Sequence, residues 1–267
     1  MANETSRTKA LVTGASAGIG EAFVRHLAAR KYDLILVARR KDQLERLASE
    51  LSDKHGVSAD ALEADLSEDA GVALVEERLR SGDIDLLVNN AGFGTVGEFA
   101  GLPLERELAE LDVNVRALMR LCHAALASMV ERRRGAVINV ASTAAFQRVP
   151  YNATYSATKA FVLHFSEALH EEVKPHGVTV TCLCPGPVKT EFQDVAGIDG
   201  SRIPSFAWES VDSVVDTALS AMRGRRAIAI PGAVNKMTAA TAQLAPRFLT
   251  RRIAGVMFRD QGRGTQP

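Results

Sequence analysis

The feature that most limits what this chain can become is a regular alternation of short apolar runs and longer amphipathic segments. The runs lie at 9–13, 34–38, 58–63, 86–89, 136–141, 178–184 and 227–230, and most are apolar at successive positions. Between them a 3.6-residue periodicity marks helices at 19–30, 41–54, 68–80, 104–133, 153–174 and 211–223. A strand that is apolar on both sides has to be covered on both faces, and strands joined through helices run parallel. The pattern predicts a doubly wound α/β fold: a mostly parallel seven-stranded sheet with helices on both faces, linked by right-handed crossovers. No repeat, low-complexity tract or linker divides the chain. One domain over 1–267 is expected, with a core at about 8–232 and a helical extension at about 233–260.

Composition narrows the function classes. Apolar residues make up 46% of the chain, enough for a large core, yet no stretch reaches the length of a membrane-spanning helix. Residues 1–8 are polar and lead directly into the first strand, which leaves no room for a secretory signal and implies a cytoplasmic protein. Cys122, Cys182 and Cys184 show no C-x-x-C or Cys/His spacing, so they read as small buried hydrophobes, with no metal site. Lys and Arg number 32, as do Asp and Glu, and this zero balance gives no reason to expect nucleic acid.

In open sheets of this Rossmann type, ligands sit beyond the carboxyl ends of the strands, where strand order reverses. Glycine-rich or polar clusters fall in those places, at 14–20, 89–94, 142–143 and 185–190. In the first of them, Gly14 permits a tight turn, Gly18 lets backbone N–H groups approach a pyrophosphate, and Gly20 allows close helix–sheet contact. Ser16 and Ile19 belong to the same turn. The spacing is G-x-x-x-G-x-G, and its plainer reading is an ordinary strand–helix connection. The second strand ends in Ala38-Arg39-Arg40, where an acidic residue would hold the ribose 2′-hydroxyl of NAD. A guanidinium grips a 2′-phosphate through paired hydrogen bonds, so NADP(H) is expected over NAD(H), with Arg39 the better candidate of the two. The alternative is that both arginines merely open a solvated helix.

Tyr155 and Lys159 stand four apart on one helix face. Free tyrosine titrates near about 10. A neighbouring ammonium favours the phenolate, so Lys159 is expected to bring Tyr155 towards the working range as an acid/base. Ser142, past the fifth strand, can offer a hydroxyl to the same substrate oxygen. Each residue has a plain alternative: an exposed helical pair, a cap, or, for Asn114, a polar surface position.

Together these stretches resemble the short-chain dehydrogenase/reductase family over roughly 8–232. The resemblance rests on Thr13-Gly14-x-x-x-Gly18-Ile19-Gly20, Asp65, Asn89-Asn90-Ala91-Gly92, Asn114, Ser142, Tyr155-x-x-x-Lys159, and Pro185-Gly186 with Thr190. It implies that Asn114, Ser142, Tyr155 and Lys159 form the catalytic set. Tyr155 would be the acid/base, Ser142 would orient the substrate, Lys159 would hold the nicotinamide ribose, and Asn114 would anchor a water in a proton relay. Asp65, beside Leu66, would contact the adenine, Asn90, Ala91 and Gly92 would line the adenosine side, and Val188 and Thr190 would orient the carboxamide. A homodimer or homotetramer through the helices carrying Asn114 and Tyr155 is also implied.

Substrate choice is expected to depend on Phe93, on Phe146 and Tyr151 within 144–151, and on Phe192 and Phe206 in a lid at 191–208. No charge cluster lies there, which favours an apolar ketone or secondary alcohol; the tail beyond 232 resembles those of reductases acting on bulky 3-oxoacyl or steroid-like substrates, which implies a 3-oxoacyl-type substrate. Two further helices are expected at 234–245 and 247–258, separated by Pro246; Arg247, Arg251, Arg252 and Arg259 make the second basic. Packing over the cleft or against another subunit is preferred to peripheral membrane contact. The expected function is an NADP(H)-dependent oxidoreductase acting on a small-molecule carbonyl or alcohol. The alternatives are an NADP(H)-binding sensor or scaffold without turnover, which has no need of a tuned phenol, and an epimerase or dehydratase, which needs a larger substrate domain.

Overall fold

The computed structural model describes residues 7–192, 196–197 and 205–258. Seven strands form one parallel sheet: β1 Lys9–Thr13, β2 Asp33–Ala38, β3 Ala59–Glu63, β4 Leu86–Asn89, β5 Gly135–Val140, β6 Val178–Leu183 and β7 Ile228–Ala229. Their order is β3-β2-β1-β4-β5-β6-β7, so the chain reverses direction of winding between the neighbours β1 and β4. Successive side chains on a strand point to opposite faces. Leu11, Val37, Leu87, Val137 and Val180 accordingly pack one core, and Val12, Leu36, Val88, Ile138 and Leu183 pack the other.

Helices α1 Gly18–Ala29 and α2 Lys41–His55 cover the second core through Phe23, Leu27, Leu44 and Leu51. Helix α3 Asp69–Arg80 covers the first through Val72 and Val75. Gly56 ends α2 in the left-handed region (φ 63°), its N–H returning to the Ser52 carbonyl at 2.8 Å. The predicted helix at 104–133 is interrupted: α4 Leu104–Leu111 and α5 Leu118–Glu131 are separated by a π-helical turn, Asp112–Ala117. The extra residue shifts the helical phase and turns Asn114 into the protein, where it is 1% exposed. Helices α6 Ala153–Val173, α7 Val211–Arg223, α8 Ala233–Leu244 and α9 Arg247–Phe258 complete the described chain. β7 is shorter than the expected 227–230, pairing with β6 only at Ile228 and Ala229. No described helix is long and apolar enough to cross a membrane.

Candidate active site

The site begins where β1 and β4 diverge. Thr13 Oγ1 accepts the backbone N–H groups of Asn90 and Ala91, both at 3.0 Å, and Asn90 Nδ2 donates to the Thr13 carbonyl at 3.0 Å. These bonds lock the glycine turn to the loop after β4. Gly14 (φ 65°) and Gly18 (φ 56°) occupy the left-handed region. A Cβ on Gly20 would stand 2.1 Å from the Gly14 carbonyl oxygen, so the turn is closed to larger residues by sterics. Ala17 caps α1 without a side-chain hydrogen bond, leaving first-turn N–H groups to an incoming anion.

A cavity of about 1220 Å³ runs along the carboxyl ends of the strands. Gly14, Ser16, Gly18 and Ile19 line it from the turn, Arg39 and Arg40 from the end of β2, and Asp65 and Leu66 from β3. Asn90, Ala91, Gly92 and Phe93 follow from β4, Ser142 from β5, and Tyr155 and Lys159 from α6. Pro185, Gly186, Val188, Thr190 and Phe192 close it beyond β6. Such a trough, with a glycine cradle at one end and side chains able to exchange protons at the other, fits a dinucleotide. Arg40 Nη2 donates to Ser16 Oγ at 3.1 Å. The Arg39 side chain is 76% exposed and only 3.8 Å from Asp65 at its nearest. Burial opposes ionisation of Asp65, but the N–H and hydroxyl of Ser67, with Arg39, hold its carboxyl below the usual range. Among the described residues no His/Cys/Asp/Glu cluster could hold a metal, and the three cysteines are buried and free.

Gly20 lies behind the turn and Asn114 beneath the cavity floor. The Asn114 side chain is fully engaged: Oδ1 accepts the Phe93 N–H at 3.2 Å, and Nδ2 donates to the Phe93 carbonyl at 2.8 Å and to Thr158 Oγ1 at 3.1 Å. Two expected substrate residues are off the walls. Phe146 ends a 3-10 turn, Thr143–Phe146, that directs its ring into the first core. Tyr151 (φ 65°) contributes its carbonyl to the Gly97 N–H at 2.8 Å, bracing a loop. The Phe206 side chain and most of the expected lid lie outside the described residues, as does Arg259.

Lys159 is 4% exposed; its Nζ donates to the Val140 carbonyl at 3.0 Å and stands over the Tyr155 ring, 5.6 Å from its centroid. Phe192 packs against the same Tyr155 ring at a centroid distance of 5.5 Å. Burial pushes the Tyr155 phenol above its ordinary range; a hydrogen bond with Ser142 opposes that rise and the charge of Glu110 adds to it. Burial outweighs the lowering expected from Lys159, whose ammonium stands over the ring and is itself depressed by burial to about 8. Ser142 also caps the turn that follows β5, accepting the Ala144 N–H at 3.1 Å.

Several wall residues carry no chemical signature and were not foreseen: Arg106, Ala109 and Val113 near α4, Val234, Asn235 and Thr238 from α8, and Ala254 from α9. Helix α4 is turned inside out. Leu104, Leu108 and Leu111, an apolar stripe in the sequence, are 58%, 50% and 41% exposed, whereas Glu107 and Glu110 are buried. The spacing of the two acids was the available signal, and the leucine stripe concealed it.

A short chain dehydrogenase family model matches residues 8–199. The chain is 36% identical over 233 residues, 85% of its length, to an uncharacterized oxidoreductase of Myxococcus xanthus, and covers 89% of that relative. It is also 36% identical over 194 residues, 70% of its length, to a very-long-chain 3-oxoacyl-CoA reductase of Pyrenophora tritici-repentis. There it spans 57% of the relative, and it spans between about half and two thirds of several other curated relatives. Among solved structures, a short-chain dehydrogenase from Sphingobium yanoikuyae in complex with NADPH superposes with a TM-score of 0.81 at 37% identity, over 89% of this chain and 94% of that one. The sheet order, the glycine turn after β1 and the Tyr155/Lys159 pair over one cleft agree with these likenesses, and the chain belongs to the short-chain dehydrogenase/reductase family of oxidoreductases.

Proposed function

We propose that this protein is an NADP(H)-dependent reductase/dehydrogenase that acts on a carbonyl or secondary alcohol carbon of a bulky apolar substrate. The observation that carries the reading is the convergence of Ser142, Tyr155 and Lys159 on the wall of the trough that begins at the glycine turn. A bound nicotinamide would supply or accept the hydride. Tyr155 gives a proton to the substrate oxygen during reduction, and its burial keeps that proton in place at neutral pH. Ser142 steadies the same oxygen with a second hydrogen bond. Lys159, charged and buried on the same wall, would hold the nicotinamide ribose. Asn114 fixes the Phe93 segment with its side chain.

Arg39 and Arg40 support NADP(H) over NAD(H), and the NADPH-bound Sphingobium dehydrogenase points the same way. Phe93, Val149, Phe192, Val234 and Ala254 make the substrate end apolar, which supports a bulky ketone or, as in the fungal relative, a 3-oxoacyl chain. In this reading α8 and α9 cover the substrate end of the cleft. The exposed leucines of α4, with Met119 and Phe161, support a homodimer or homotetramer. The test is NADPH oxidation over a panel of propiophenone, benzil, a long-chain 3-oxoacyl thioester and a 3-oxosteroid. Turnover of at least one compound is expected, with NADH much poorer; a panel with no turnover would reject the proposal.

A further inference from the structure

We infer that Glu107 and Glu110 are positioning residues that set the place and protonation of Tyr155 from beneath, an inference that rests on the acid/base reading of that phenol. The two carboxyl groups come from the buried side of α4 and each holds one threonine. Glu110 Oε2 accepts the Thr95 hydroxyl at 2.9 Å, and Glu107 Oε2 accepts the Thr154 hydroxyl. Both threonines adjoin the phenol. Thr154 immediately precedes Tyr155 at the start of α6. Thr95 follows Gly94, whose absent Cβ would stand 2.8 Å from Tyr155 Cδ2, so the ring lies directly on this backbone. The Thr95 carbonyl in turn accepts Asn152 Nδ2 at 2.5 Å. Helix α4 thereby clamps the loop behind the ring and the helix that carries it.

Stability alone gives no reason for acids here. Glu107 and Glu110 are 3% and 0% exposed, and the second oxygen of each, Oε1, is buried with no partner among the described residues. A buried carboxyl left half-satisfied costs free energy that an apolar side chain at the same place would not. Its return is electrostatic. The charged groups facing Glu110 are Glu107 from its own helix and Lys159 from α6, with the phenol of Tyr155 beside them; Thr95 is the uncharged donor. Above about pH 7, where Glu110 ionises, its negative charge holds the proton on Tyr155 and on Lys159 alike, in the range where alcohol oxidation draws on the phenolate.

The experiment compares Glu110→Gln, Thr95→Val and Thr154→Val with the wild type and with Tyr155→Phe, using the fastest ketone of the panel with NADPH and its alcohol with NADP⁺. Each threonine variant is expected to lower kcat about tenfold with the KM for NADPH unchanged, the effect of losing one buried hydrogen bond near the reacting group. Glu110→Gln keeps an acceptor for Thr95 but loses the charge. The limb of alcohol oxidation that requires phenolate then moves to lower pH by about half a unit or more. A purely structural acid would leave that limb in place. An unmoved limb in Glu110→Gln together with wild-type kcat in both threonine variants overturns the inference, even where Tyr155→Phe is inactive. Should Glu110→Gln not fold, the threonine variants decide by themselves. Full activity in Tyr155→Phe removes the acid/base reading first, and this one with it.

Discussion

Arg40 and Glu191 form an ion pair of 3.1 Å across the nucleotide end of the cleft, joining the end of β2 to the segment beyond β6. Arg40 is therefore shared between Glu191 and Ser16, while Arg39 is largely solvated. A ribose 2′-phosphate has to displace a carboxylate to reach Arg40 but can recruit Arg39 with little cost. Arg39→Ala is expected to weaken NADPH by tenfold or more, about the worth of a charge-assisted hydrogen bond, and NADH hardly at all. Arg40→Ala is expected to discriminate less. Fluorescence titration of both nucleotides measures this, and equal losses for NADPH and NADH in Arg39→Ala would reject the phosphate contact.

Tyr155→Phe removes one hydroxyl and leaves the glycine turn and the arginines untouched. Turnover should fall by about a hundredfold or more, the usual worth of a positioned acid/base, with NADPH affinity within a factor of two of the wild type. Steady-state kinetics beside a nucleotide titration separate the two quantities. A large loss of nucleotide affinity would mean that the phenol shapes the cleft rather than the chemistry.

The pH dependence of stability should carry the mark of Glu110, whose carboxyl burial lifts to about 7. The folded state then holds a proton that the unfolded chain releases at the ordinary glutamate value. Its contribution is full below that value, is lost as pH rises towards 7, and stays lost above. Glu110→Gln should thus raise stability by about 2 kcal/mol at pH 8 relative to its effect at pH 4.5, a few degrees in Tm. Thermal melts at the two pH values provide the check. A pH-independent change would show that the carboxyl is not held protonated.

Two glycines distinguish steric from conformational need. Gly20→Ala puts a methyl 2.1 Å from backbone and should abolish NADPH binding or folding. Gly56→Ala meets nothing within 4 Å, but its φ of 63° is unfavourable to alanine, so a loss of only about 1 kcal/mol is expected. Chemical denaturation ranks the pair. Equal losses would contradict this division.

The sequence by itself determined the seven strands, nearly all the helix bounds and the glycine turn, because continuous apolar runs and glycine spacing are local consequences of burial and backbone sterics. It also gave the order in which Ser142, Tyr155 and Lys159 follow the strands. Only the tertiary structure decided the π turn that carries Asn114 inward, the inversion of α4, and the displacement of Phe146 and Tyr151 from the walls. It likewise put the Lys159 ammonium over the face of the phenol, so that burial, not that charge, governs Tyr155. The reason is common to all of these: helical periodicity reports that one face of a helix is apolar, and only its neighbours decide which face is covered.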